Sequence, residues 1–134
     1  MFEINEEKIF IKLNQLIENS QSKYYNYPVA AILECSDGKV YPGVNIETSS
    51  PQAGICAERN AIYSAISDGK DINDFKRIHL MAKSNKEITP CFICRQTLID
   101  YCNKDVEIIC YFEDKTSIKK VEELCVFAFS GEDL

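Results

Sequence analysis

Three cysteines and one glutamate in this 134-residue chain have the residue types and the spacing to do chemistry. Cys56-Ala57-Glu58 opens one predicted helix, and Pro90-Cys91-Phe92-Ile93-Cys94 opens another. Two helix starts at one edge of a domain can face each other. Three thiolates would then converge on one zinc ion and leave a fourth tetrahedral position for water, as in a catalytic site; a structural site is closed by four protein ligands. Helix starts suit the charge, because free backbone N–H groups and the positive helix end stabilise thiolates. Arg59 and Arg95 are expected to donate to the sulfurs and offset more of it. They are two of only three arginines, against twelve lysines, so a planar guanidinium fork is what these positions select.

Glu58 shares a helical face with Ile62 and Ala65 and so points inward. A buried carboxylate needs a partner. A zinc-bound water is one, and the residue type then suits a proton shuttle. The spacing sets one condition. Residues two apart on an ideal helix point about 200° apart, so Cys56 and Glu58 share an ion only if Cys56 sits at the helix tip.

The residues alone leave other chemistries open. A lone Cys-x-x-Cys suits a zinc knuckle or a redox pair equally. A knuckle would show a second similar pair of ligands, and a redox pair would leave Cys56-Ala57-Glu58 without explanation. His79, the single histidine, falls inside a predicted strand with no ligand spacing and reads as packing or surface. Cys35, Cys102, Cys110 and Cys125 lie on apolar faces and read as buried small hydrophobes. Seven cysteines are an odd number, and Met-Phe-Glu-Ile-Asn-Glu-Glu does not open an export signal. A cytoplasmic protein with metal-bound thiols is therefore expected over a disulfide framework.

The length suits one domain, residues 1–134, with 46% hydrophobic residues to fill its core. No apolar run is long enough to span a membrane. The net charge is −6 and the lysines are scattered among acids. No basic patch exists for a nucleic acid, so a small ligand is the expected partner. Residues 5–22 predict an amphipathic helix capped by Asn5. Strands are expected at 27–35 and 40–45 around the turn Ser36-Asp37-Gly38-Lys39. Residues 46–54 are polar and irregular, and 56–67 predict a helix stopped by Gly69. A strand at 77–82 precedes Thr89-Pro90, which reads as the cap and first turn of a helix to about residue 103. A strand at 107–112 and a last helix at 117–125 complete the order α-β-β-α-β-α-β-α. That order predicts a layered α/β domain with helices covering a mixed sheet whose first two strands are antiparallel.

The motifs together resemble a known family. Cys56-Ala57-Glu58-Arg59 and Pro90-Cys91-x-x-Cys94-Arg95-Gln96 are similar to the short, tetrameric class of cytidine deaminases. Tyr27-Pro28-Val29-Ala30-Ala31, Gly43-Val44-Asn45-Ile46-Glu47 and the tail Ala128-Phe129-Ser130-Gly131-Glu132-Asp133-Leu134 resemble further segments in the same order. The resemblance implies an αβα three-layer sandwich and one Zn²⁺ per chain on Cys56, Cys91 and Cys94. It implies Glu58 as proton shuttle in the hydrolytic deamination of cytidine or deoxycytidine. Asn45 and Glu47 would bind the ribose and Ala57 would offer backbone contact to the base. Tyr27 would supply an aromatic face, and Phe129 would close over the base of a neighbour in a homotetramer. Cys56-x-Glu58, where polynucleotide deaminases commonly carry His-x-Glu, resembles the free-nucleoside enzymes. Tyr27, Pro51, Gln52, Phe92 and Val126 depart from the family pattern. Two other readings carry the same motif: a blasticidin-type deaminase, in which the ribose-binding Glu is replaced, and a zinc-stabilised binding protein, which has no need of an inward Glu58.

Overall fold

The computed structural model describes residues 4–134. The reading of an N-terminus without an export signal therefore falls partly on residues 1–3, outside the described residues. Five strands form one sheet: β1 Val29–Cys35, β2 Val40–Val44, β3 Phe75–Ala82, β4 Glu107–Phe112 and β5 Lys115–Lys120. Their spatial order is β2-β1-β3-β4-β5. β1 is antiparallel to β2 and β3, β3 runs parallel to β4, and β4 is antiparallel to β5. The sheet is thus mixed, with an opening antiparallel hairpin as its sequence predicts.

Helix α1, Ile4–Leu16, packs on one face of the sheet. Helices α2 Ala57–Ser67, α3 Phe92–Tyr101 and α4 Val121–Leu124 cover the other. This is the expected three-layer sandwich. The apolar run Val29 to Leu33 is buried throughout because both faces of β1 are covered. Ala31, Leu33 and Cys35 meet the α2 side, and Ala30 and Ile32 meet α1.

Three expectations need correction. The first helix stops at Leu16, followed by a single 3₁₀ turn to Asn19, and Asn5 lies within it. Residues 20–21 turn instead to the rim of the sheet, where the Gln21 N–H donates to the Asn45 carbonyl at 3.1 Å. The helix expected at 117–125 is mostly strand β5, and only Val121–Leu124 is helical. Its apolar positions fit both periods, and pairing with β4 across the Glu113–Asp114 turn decides for the strand. Finally, α3 starts at Phe92 with Cys91 as its N-cap. Thr89 and buried Pro90 belong to the preceding loop.

Candidate active site

Cys56 is the N-cap of α2, with extended backbone at φ −78°, ψ 154°. It therefore sits at the helix tip, which meets the condition for sharing an ion with Glu58. Glu58 follows in the first turn, 5% exposed. Cys91 caps α3 in the same extended conformation, φ −65°, ψ 166°, and Cys94 lies fully buried in its first turn. The three sulfurs lie within 4.8 Å of one another, with Cys56 and Cys91 3.7 Å apart. Tetrahedral Zn–S bonds separate sulfurs by about 3.8 Å, so the cluster fits one zinc ion per chain.

The charges agree with that fit. Hydrogen bonds from Cys94, Arg59 and Cys91 outweigh burial and hold the Cys56 thiol down at about 5. Arg59 Nη2 reaches the Cys56 sulfur at 3.6 Å. The bond to Cys56 and burial push the Cys94 thiol well above its ordinary value. Sulfurs this close ionise together only beside a cation, which is what a divalent metal supplies. Burial pushes the Glu58 carboxyl up to about 7, and the Cys56 thiolate adds to the effect.

Arg95 departs from expectation. Its Nε donates to the Pro90 carbonyl at 2.8 Å, Nη1 to the Leu124 carbonyl at 2.9 Å and Nη2 to the Thr89 hydroxyl at 2.9 Å. The fork thus grips three oxygens of the loop before Cys91 and of the end of α4, while Arg59 serves the sulfur.

A cavity of about 550 Å³ opens over the cluster and is lined by Tyr27, Asn45, Glu47, Ala57, Glu58 and Ile93 among others. The two strand-end polar residues are already anchored. Asn45 Oδ1 accepts from the Ser20 hydroxyl at 2.5 Å and the Val29 N–H at 2.8 Å, while its Nδ2 donates to the Tyr27 carbonyl at 2.8 Å. Glu47 Oε1 accepts from the N–H groups of Tyr24 at 3.0 Å and Tyr25 at 2.7 Å. Both side chains therefore shape the 20–29 segment that walls the cavity.

Residue-by-residue reading missed Tyr25, Ile88 and Ile93 in the wall. Only Ile93 had a signal in the sequence, an apolar residue between two ligands. Of the departures from the family pattern, Pro51 lines the cavity, whereas Phe92 is 80% exposed and stacks on Arg95, with the guanidinium carbon 4.6 Å from the ring centre. Phe129 does not line its own chain's cavity. It is 58% exposed, with its carbonyl held by Gln96 Nε2 at 2.9 Å. His79 is buried, and Cys35, Cys102 and Cys110 are buried as expected, with Cys125 half-buried.

Most of the chain matches known cytidine deaminases. Residues 4–110 match the family described as cytidine and deoxycytidylate deaminase zinc-binding region. A cytidine deaminase from Sporosarcina psychrophila is 33% identical over 129 residues, covering 96% of this chain and 93% of that protein. One from Mycoplasma genitalium is 30% identical over 128 residues, covering 94% and 96%. The crystal structure of cytidine deaminase from Burkholderia pseudomallei superposes with a TM-score of 0.84 at 28% identity, covering 92% of this chain and 98% of that one.

Proposed function

The chain belongs to the cytidine and deoxycytidylate deaminase family, and on that premise we propose that its cavity takes free cytidine or deoxycytidine and removes the 4-amino group by hydrolysis. Water enters, and uridine or deoxyuridine and ammonia leave. The observation that carries this reading is the buried Glu58 carboxyl lining the same cavity as the sulfur cluster. A purely structural metal site has no use for it.

Cys56, Cys91 and Cys94 would hold the zinc. When bound, zinc acts as a Lewis acid and lowers the pKa of water toward neutrality. Glu58 accepts the proton of the attacking water, passes it to N3 of the base, and then serves the departing amine. Asn45 and Glu47 bind the ribose hydroxyls. Tyr27 supports the base face, and the Ala57 backbone orients it. Among the described residues that line the cavity Arg59 alone is cationic, and it is engaged with Cys56. A 5′-phosphate would therefore meet no free cation in this chain's own wall, which favours the nucleoside over the nucleotide. Glu47 likewise favours a plain nucleoside over a blasticidin-type substrate.

The assembly proposed is a homotetramer in which Phe129 closes over the neighbour's base. Val126, Phe127 and Phe129 are exposed side by side and need a covering surface. None of the described helices is long and apolar enough to cross a membrane. Seven unpaired cysteines suit a reducing compartment such as the cytoplasm.

Zinc-loaded protein offered cytidine, deoxycytidine, cytosine, CMP and blasticidin S, with ammonia release recorded, tests the reading. Turnover of the first two with little from cytosine and CMP is expected. Preference for blasticidin S would replace the reading with the related one, and no release from any compound would leave a zinc-stabilised binding protein.

A further inference from the structure

We propose that Arg95 is a positioning residue for the metal centre, clamping the loop that presents Cys91 to the end of α4, with Phe92 as the stacking plate that holds the clamp in place. The inference rests on Cys56, Cys91 and Cys94 being the zinc ligands.

The three sulfurs are not equally secured. Cys94 is buried inside α3, and Cys56 caps a helix whose next two residues are buried. Cys91 is exposed and ends an irregular stretch that begins after β3. A ligand on such a loop is held only as well as the residues before it. Two of those residues, Thr89 and Pro90, are gripped by Arg95 at 2.9 and 2.8 Å. The third bond, to the Leu124 carbonyl at 2.9 Å, ties them to α4 across 29 residues of sequence. All three acceptors are satisfied at once because the guanidinium is a flat, rigid fork. A lysine ammonium at the same place is a single point and cannot span them.

Phe92 then has an explanation that the deaminase chemistry does not supply. Its ring lies against the guanidinium face, 4.6 Å from the guanidinium carbon, where it restrains the fork and shields one side from water. The neighbouring Gln96 makes a useful contrast. It also reaches the C-terminal segment, through the Phe129 carbonyl, but its other hydrogen bond goes to Asp100 within α3 and not to the loop before Cys91.

The test is zinc retention in Arg95→Lys, Phe92→Gly and Gln96→Ala, measured by competition with a chromophoric chelator. Thermal melts with and without zinc accompany each variant. Groups that orient ligands from outside the coordination sphere typically change metal affinity 10–100-fold. Arg95→Lys is expected to bind zinc roughly tenfold or more weakly, and Phe92→Gly to weaken it in the same direction by less. Gln96→Ala should match the wild type. The zinc-dependent rise in melting temperature should shrink in Arg95→Lys, since that rise follows metal affinity. Equal zinc affinity in Arg95→Lys and wild type, with melting lowered equally in the zinc-loaded and zinc-free forms, would overturn the proposal and leave Arg95 a general structural residue. A wild-type protein that holds no zinc would instead overturn the ligand assignment beneath it.

Discussion

A Cβ placed on Gly43 would lie 2.4 Å from the carbonyl oxygen of Ala57 and 2.5 Å from the backbone nitrogen of Ala61. Strand β2 and helix α2 meet here backbone to backbone. That contact sets the distance between Asn45 and Glu47, just past the end of β2, and Cys56 and Glu58, at the start of α2. Gly43→Ala should therefore be destabilising by about 1–3 kcal/mol, the usual range for overpacking, because the clashing atoms are main chain and cannot swing aside. Denaturant unfolding checks it. An unchanged midpoint would show that the helix shifts freely.

Glu58→Gln should keep zinc and fold and lose activity. The amide preserves size but cannot carry the proton. General acid–base catalysis contributes on the order of 10²- to 10⁴-fold, and a group acting twice in one turnover can contribute more. Metal content, melting temperature and ammonia release, measured on one preparation, separate the effects. Near-wild-type turnover would sink the mechanism.

Glu47 tests the sugar site. A polar group that bonds a hydroxyl inside a binding cavity discriminates against analogues lacking it. The native protein should prefer cytidine strongly over 2′,3′-dideoxycytidine, and Glu47→Ala should narrow the ratio of kcat/KM values. Some stability should be lost as well, since the N–H groups of Tyr24 and Tyr25 lose their acceptor. A ratio that stays fixed would confine Glu47 to that loop-holding role.

Phe129→Ala should raise KM while zinc stays bound, because Phe129 lies outside its own chain's cavity. Light scattering on the native protein should give a mass near four chains. A fully active monomer at assay concentration would remove the neighbour's Phe129 from the site.

Part of the acid sensitivity should trace to His79. Its Nε2–H donates to Glu34 Oε1 at 2.8 Å, so Nδ1 accepts from the Tyr111 hydroxyl at 2.9 Å. Burial holds the imidazole below its ordinary 6.5 against the pull of Glu34, with Arg77 and Glu6 also near. The unfolded chain therefore takes up the proton first, and stability falls as pH drops below about 6.5. Glu34 has the same sign lower down. Burial raises its pKa, but the bond from His79 and the charges of His79 and Arg77 outweigh that. Its contribution is lost as pH falls below its ordinary 4.5. His79→Gln can keep both hydrogen bonds without titrating. Its melting temperature should change less than the native protein's between pH 7 and pH 5, and an equal change would place the acid sensitivity elsewhere.

The sequence by itself determined which groups the fold brings together for chemistry. Three cysteines at two helix starts, and a glutamate in phase with Ile62 and Ala65, are local patterns, and local patterns are written in spacing. It also determined the mixed sheet's opening hairpin, because alternation and a Gly38 turn act over a few residues. What only the tertiary structure decided depends on partners far along the chain. Lys115–Lys120 is a strand because β4 is there to pair with it, although its apolar positions fit a helix as well. Arg95 is aimed at Leu124 and away from the sulfurs because α4 folds back beside α3. Asn45 and Glu47 anchor residues 20–29 because the first helix ends early and its continuation crosses the pocket. A motif can name the groups that react. Which oxygen a guanidinium reaches, and which loop a carboxylate holds, follows from packing between elements that no local spacing encodes.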